Sequence, residues 1–329
     1  MQHTNPRRRA VCAAAALLAS TGVFAQAAKY PARPVKLIVP SPPGGGPDIV
    51  GRLVAQLLSQ RWGQQVVIEN IAGASGQVGA LGVVRAAADG YTLLFSPPTP
   101  VTIADNFEPK PPYNAQRDLV GVGLIGRNPA LIVINSTVKA NTLREFIALA
   151  KAEPKKYFFG SPGIGNALHL IAEIVSNQAG IQMTHVPYKG SAPAVVGLLG
   201  NEVQFLVQSA EAVKEHVKSG RLKALATIES TRLEAFPEVP TLAESGLANL
   251  NIMNWYGVFV PAATPREIVD FWDRELLAVA KDPAFVRRMK EMSFDPVAFG
   301  AQEFARLMAA ERPQWSAVIK SAGIATKKE

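Results

Sequence analysis

Two glycine-rich segments carry residue types that can hold an anion without a charged side chain. The first, Pro42-Pro43-Gly44-Gly45-Gly46-Pro47-Asp48, lies between the apolar run Val35 to Val39 and a periodic segment with Ile49, Leu53, Val54, Leu57 and Leu58. The second, Gly160-Ser161-Pro162-Gly163-Ile164-Gly165-Asn166, lies between Phe158-Phe159 and a helical pattern with Leu168, Leu170, Ile171, Ile174 and Val175. Glycine lets the backbone approach a ligand closely, and a helix start presents unpaired N–H groups with a partial positive charge. Asp48, just before the first periodic run, is expected to cap that helix with its carboxylate. For either segment taken alone, a tight strand-to-helix turn without a ligand explains the pattern equally well.

Other chemistry is poorly represented. Gly121-Val122-Gly123-Leu124-Ile125-Gly126 has the letters of a dinucleotide fingerprint, but Arg127-Asn128-Pro129 follows where such a site needs a helix. Neither a Walker A motif nor G-x-S-x-G occurs. After the first 27 residues the histidines are His169, His185 and His216, whose spacing fits no metal signature, and no cofactor is expected. His169, one turn into the second periodic segment, either packs or braces the loop and contacts a ligand. Glycines 73, 76, 79 and 82 read as a packing face, and Trp255-Tyr256 as core. The basic residues are dispersed without aromatic interleaving, so nucleic acid is not an expected partner.

The surrounding pattern is strand, glycine loop, helix, strand at Val66 to Ile68, small-residue helix from Gly76 to Ala88, then strand at Tyr91 to Phe95. Alternation of this kind predicts a mostly parallel sheet flanked by helices. It recurs from Ala130 to Thr227. After a Pro-rich stretch there follow a strand at Trp255 to Val260 and helices at Pro265 to Ala280, Pro283 to Met292 and Ala301 to Lys320, the last broken or kinked by Pro313. The first unit has too few helices to cover its sheet unless the terminal ones return to it. The fold class expected is therefore α/β, two lobes joined by two crossover segments with a cleft between them. Residues 28–126 and 250–329 would form lobe I, and 127–249 lobe II.

Ligands of open α/β sheets bind beyond the carboxyl ends of the strands, so both glycine segments should face one cleft. A helix terminus contributes about 0.3–1 kcal/mol when exposed and up to ~2 when partly buried, and a charge-assisted hydrogen bond about 1.5–3. Roughly three or four such contacts, less the cost of closing the lobes, correspond to micromolar binding at about −8 kcal/mol.

The chain of 329 residues has 34 Lys and Arg, 26 Asp and Glu, 48% hydrophobic residues and one Cys. That excludes a disulfide-stapled miniprotein and a disordered chain. Arg7 to Arg9, the apolar stretch Ala10 to Ala19 and Ala25-Gln26-Ala27 have the form of a secretory signal peptide over 1–27, too short to span a bilayer. Cleavage after Ala27 would leave 31 basic and 26 acidic side chains, a net +5, and would remove Cys12. A periplasmic location follows for the mature chain.

Several stretches together resemble the Bug or TctC family of extracytoplasmic solute receptors. They are Tyr30-Pro31-Ala32-Arg33-Pro34-Val35-Lys36-Leu37-Ile38-Val39-Pro40, the Pro-Pro-Gly-Gly loop with Asp48, Val67-Ile68-Glu69-Asn70 and Asp89-Gly90-Tyr91-Thr92-Leu93-Leu94. To these are added Ser161-Pro162-Gly163-Ile164-Gly165-Asn166 with His169-Leu170, Val186-Pro187-Tyr188-Lys189-Gly190, Leu222-Lys223-Ala224-Leu225-Ala226, and Val239-Pro240-Thr241 with Glu244-Ser245-Gly246. The resemblance implies two α/β lobes closing on a small organic carboxylate, held around Ser41, Gly44, Gly45 and Asp48 in one lobe and Ser161, Gly163, Gly165, Asn166 and Ala167 in the other. Ser96, His169 and Gln208 complete the candidate ligand-binding set. It also implies delivery to the membrane subunits of a tripartite tricarboxylate transporter, by a monomer without catalytic residues.

Three positions depart from the family pattern: Ser41 stands for an aromatic residue, Pro162 for a small one and Gln208 for a frequent Asp. Loss of the Asp charge leads to the expectation of a non-amino carboxylate. The alternatives are an exported enzyme acting on a carboxylate or ester, for which Ser161 with His169 is the pair of interest, and a sensor receptor without transport.

Overall fold

Strand β1 (Val35–Val39) is buried except at Lys36, as befits a strand covered on both faces. In the computed structural model, which describes residues 30–107, 109–250 and 252–321, it lies inside a six-stranded sheet. On one side it pairs in parallel with β2 (Val66–Asn70), and on the other in parallel with β3 (Thr92–Ser96). The sheet continues antiparallel through β10 (Trp255–Pro261), β4 (Leu119–Arg127) and β11 (Phe299–Gly300). A second sheet of five strands runs β7 (Thr184–Pro187), β6 (Phe158–Ser161), β8 (Phe205–Ser209), β5 (Ala130–Asn135), β9 (Leu222–Thr227). There β6 is parallel to β7 and β8, while β5 is antiparallel to β8 and β9. Residues from Pro34 onward form one unit containing both sheets. The signal segment, its cleavage site and Cys12 lie outside the described residues.

The sheets are mixed, whereas the alternating pattern predicted mostly parallel ones. The cause is the way the chain changes sheet. It passes once between Arg127 and Ala130 and again between Thr227 and Trp255. Strands β5 and β10 thus start from the junction and run away from it, opposite to the strands of the βαβ units, which run towards it. The carboxyl ends of β1, β3, β6 and β8 consequently face the junction.

Helix α1 (Gly46–Trp62) starts with Pro47 in its first turn and stops at Gly63, which takes the left-handed conformation at φ 67°. Helix α2 (Gln77–Val84) is shorter than its sequence pattern, and Gly79 lets it approach Pro40. A four-residue helix, α3 (Ala115–Asp118), precedes β4. In the second lobe, α4 (Leu143–Ala152) is capped by Thr142 and α5 (Ala167–Ala179) by Asn166, whose Oδ1 accepts from the Leu168 N–H at 2.9 Å. Helices α6 (Ser191–Leu199) and α7 (Ala210–Lys218) flank β8, and α8 (Arg266–Ala280) and α9 (Pro283–Glu291) return to the first sheet. The dinucleotide-like letters lie inside β4, where a side chain at Gly121 would crowd Phe304 and one at Gly123 would crowd Leu276. Those glycines therefore serve helix packing.

The last helix, α10 (Ala301–Ser321), continues through Pro313 without the expected break. Its Phe304 and Met308 are buried with Trp255, Phe259 and Leu124 of the first sheet. Its Trp315 and Ile319 are buried with Phe146, Phe159 and Phe205 of the second. Burial of large side chains on both sides of Pro313, at about 1.5–3 kcal/mol each, offsets the roughly 3 kcal/mol that an interior proline costs.

Candidate functional site

At the carboxyl end of β1, Asp48 is not the cap itself. Gly45 occupies the N-cap position, and Asp48, within the first turn, reaches back to accept from the Gly44 N–H at 2.9 Å. It also accepts from Asn70 Nδ2 at 2.9 Å and from Arg52 Nε at 3.1 Å. Burial works to raise its pKa, but the hydrogen bonds from Arg52, Gly44 and Asn70 outweigh it and hold the carboxyl below the usual range. Asp48 thus fixes the loop, and the Gly44 N–H has a protein acceptor. Ser41 gives its carbonyl to Asn70 Nδ2 at 3.1 Å, while its hydroxyl is shut off from solvent with no hydrogen-bond partner.

At the carboxyl end of β6, the second loop is laced by side chains. Ser161 Oγ accepts from the Gly163 N–H at 3.2 Å, and the Asn166 N–H donates to the Gly163 carbonyl at 3.2 Å. The Gly165 N–H donates to His169 Nδ1 at 3.2 Å. Gly165 has φ 72°, and a β-carbon there would sit 3.0 Å from the Phe107 ring, so this position requires glycine. Ser161 Oγ also lies 2.7 Å from Nε2 of His185, and it is His185, not His169, that partners this hydroxyl. The two imidazoles stack with ring centres 4.0 Å apart, and Phe159 stacks on His185 at 4.8 Å. His169 and Ser161 are both buried, which makes the cluster a support for the loop.

The two lobes meet at these loops. Ser75 Oγ of the first lobe donates to the Ile164 carbonyl of the second at 2.9 Å, and Thr99 Oγ1 accepts from the Ala167 N–H at 3.3 Å. Pro42 faces Gly190 across the same junction. Ser41, Gly44, Gly45 and Asp48 thus form one group, and Ser161, Gly163, Gly165, Asn166, Ala167 and His169 another. Ser96 is fully buried and donates to the Pro97 carbonyl at 2.8 Å.

Gln208, at the end of β8, belongs to a third group. Its Oε1 accepts from Ser209 N–H and Oγ at 2.9 and 3.2 Å, and its buried Nε2 has no partner. Ser209 also bonds Glu211, whose pKa is raised by burial. Glu211 in turn neighbours Tyr256, where burial and the Glu211 charge hold the phenol well above its ordinary value. Asn128, at the first crossover, donates from Nδ2 to the Tyr256 hydroxyl. Tyr256 is buried, as read from the sequence, yet its hydroxyl ends among these polar groups. Thr99, Ser75, His185, Asn128 and Glu211 carry no local sequence signal, because each acts through a partner distant in the chain.

Two α/β lobes joined by two crossovers, with glycine-rich loops and helix starts at the carboxyl ends of the strands, define the two-lobed class of periplasmic binding proteins. Residues 50–324 match the family described as tripartite tricarboxylate transporter family receptor, and the chain belongs to that family. It is 36% identical over 313 residues to Protein BugT of Bordetella pertussis, covering 94% of this chain and 96% of the relative. A structure from R. palustris solved with adipate superimposes with a TM-score of 0.86 at 31% identity, over 90% of this chain and 99% of that one. MatC from Rhodopseudomonas palustris with bound malate gives 0.81 at 25% identity, over 88% and 100%. Among the described residues no helix is long and apolar enough to cross a membrane.

Proposed function

We propose that this chain is exported to the periplasm, captures a small organic carboxylate between its lobes without transforming it, and presents it as a monomer to the membrane subunits of a tripartite tricarboxylate transporter. One observation carries the reading. The second glycine loop, leading into α5, is tied to the first lobe by Ser75 on Ile164 and Thr99 on Ala167, and the first, leading into α1, approaches it through Pro42 beside Gly190, whose N–H donates to the Pro162 carbonyl at 3.1 Å. A carboxylate lying between them would meet two helix N-termini of partial positive charge, and it would compete with neutral acceptors for N–H groups held at 3.2 to 3.3 Å. Adipate and malate, bound by the two structural relatives, are of the same ligand class. Family membership supports the transporter partner, and the basic and apolar start of the sequence supports export.

The test is a thermal-shift screen over mono-, di- and tricarboxylates and amino acids, followed by calorimetry and recovery of the ligand. A ligand that binds only the folded state raises its melting temperature. Stabilisation by at least one carboxylate, recovered unchanged, is expected. No shift with any of them, or turnover of the bound compound at Ser161, would overturn the reading.

A further inference from the structure

Beside the first turn of α1, three polar groups from different elements converge on Gly46. A β-carbon built there would lie 3.0 Å from Asn128 Nδ2 and 3.1 Å from Glu211 Oε1, and would overlap the Tyr256 hydroxyl. Only glycine leaves room for this convergence. The groups are incompletely satisfied: Glu211 Oε2, Asn128 Oδ1 and Gln208 Nε2 are all closed off from solvent and all lack a hydrogen-bond partner. Gln208 and Asn128 are buried side chains, at 0% and 4% exposure. Buried polar groups in folded proteins are almost always paired, so two orphaned side chains beside one helix start, with a third on Gln208 joined to Glu211 through Ser209, imply a recognised group.

The types of the orphans restrict that group. Glu211 Oε2 and Asn128 Oδ1 accept, whereas Gln208 Nε2 donates. The contacts that favour the Glu211 charge are the Ser209 hydroxyl and the N–H groups of Ala212 and Glu211 itself, and no Lys or Arg is among them. A buried carboxylate without a cation is costly, and a cationic ligand group would supply the missing partner. An ammonium offers three donors, enough for both acceptors, while Gln208 Nε2 suits a neighbouring ligand oxygen. The loss of an Asp at Gln208 pointed to a non-amino ligand; Glu211, three residues further, returns a carboxylate to the same end of β8.

We infer that Glu211, with Asn128 and Gln208, forms a specificity subsite for a protonated amino group, so that the carboxylate ligand is an amino acid or another aminocarboxylate. The inference rests on the carboxylate-receptor reading. Its test uses matched pairs that differ only in the amino group: succinate with aspartate, glutarate with glutamate, butyrate with 4-aminobutyrate, and propionate with alanine. Calorimetry on the full mature protein should show the amino member binding at least tenfold tighter in whichever pair binds best. Glu211→Gln, which keeps shape and hydrogen bonding, should abolish that preference while leaving the unaminated partner within threefold of its original affinity. A preference for the unaminated member, or an amino preference that survives Glu211→Gln, overturns the subsite while leaving the receptor reading intact. Binding of no member of any pair, together with a blank carboxylate screen, overturns both.

Discussion

The backbone N–H of Gly165 donates to Nδ1 of His169 at 3.2 Å, so an imidazole in the first turn of α5 holds the loop that leads into its own helix. Acceptance at Nδ1 places the ring hydrogen on Nε2, which faces Glu173 Oε1 at 3.6 Å. His185 lies flat against the other face of the ring and ties Ser161 to the stack. Replacing His169 by Ala removes the acceptor and the stacked ring while leaving the Gly165 N–H buried, at a cost of about 1–3 kcal/mol. A lower melting temperature is expected, and thermal denaturation of the variant measures it.

The two loop glycines should respond differently to substitution. A β-carbon at Gly45 meets nothing closer than 3.8 Å, whereas Gly165 is left-handed and faces Phe107 at 3.0 Å. Gly45→Val should therefore keep the melting temperature within a few degrees and lose carboxylate binding. Gly165→Val should lose both, since a left-handed non-glycine residue alone costs about 1–2 kcal/mol. Undiminished affinity in Gly45→Val would remove that position from the binding surface.

Thr99 joins the lobes through a single accepted hydrogen bond from the Ala167 N–H at 3.3 Å. Thr99→Val preserves shape and removes the acceptor, which weakens the lobe contact by about 1 kcal/mol. Small-angle scattering should report a larger mean radius for the free protein, and saturation with ligand should restore the native value.

Glu311 is buried in α10, where its Oε2 accepts from Trp255 Nε1 at 2.9 Å and its Oε1 has no partner. Burial raises its pKa from 4.5 to about 7, against the opposing bond from Trp255. An acid with a raised folded pKa binds more protons folded than unfolded, so its protonated form supports the fold at low pH. Stability is lost as pH rises from about 4.5 towards 7, by up to ~3 kcal/mol. Glu311→Gln should flatten the dependence in that window and raise the melting temperature at pH 8, measured by calorimetry from pH 4 to 8.

Local features were readable from the chain because neighbouring residues settle them. The loop at Gly44 to Gly46 follows from an apolar strand, three glycines and a proline ahead of a 3.6-residue period, and the second loop from Gly160 to Asn166 is bounded in the same way. Asp48 was recognisable as a helix-start residue but not as the acceptor of the Gly44 N–H, since sequence pattern does not distinguish the cap position from the third helical position, and only the latter reaches back to that N–H. Pro313 announced a break because the cost of an interior proline is local, while the burial of Phe304 and Trp315 that offsets it comes from two different sheets.

The sequence by itself determined the α/β class, both glycine loops and the resemblance to solute receptors, all of which depend on composition, periodicity and ordered motifs. Tertiary structure decided the mixed polarity of the sheets, because the direction of β5 and β10 is set by where the chain crosses between lobes. It also decided the side chains that complete the site. Thr99 reaches Ala167, His185 reaches Ser161, and Glu211, Asn128 and Tyr256 converge on Gly46. None of these pairs is close in the chain, and a hydrogen bond between distant segments leaves no trace in the periodicity of either.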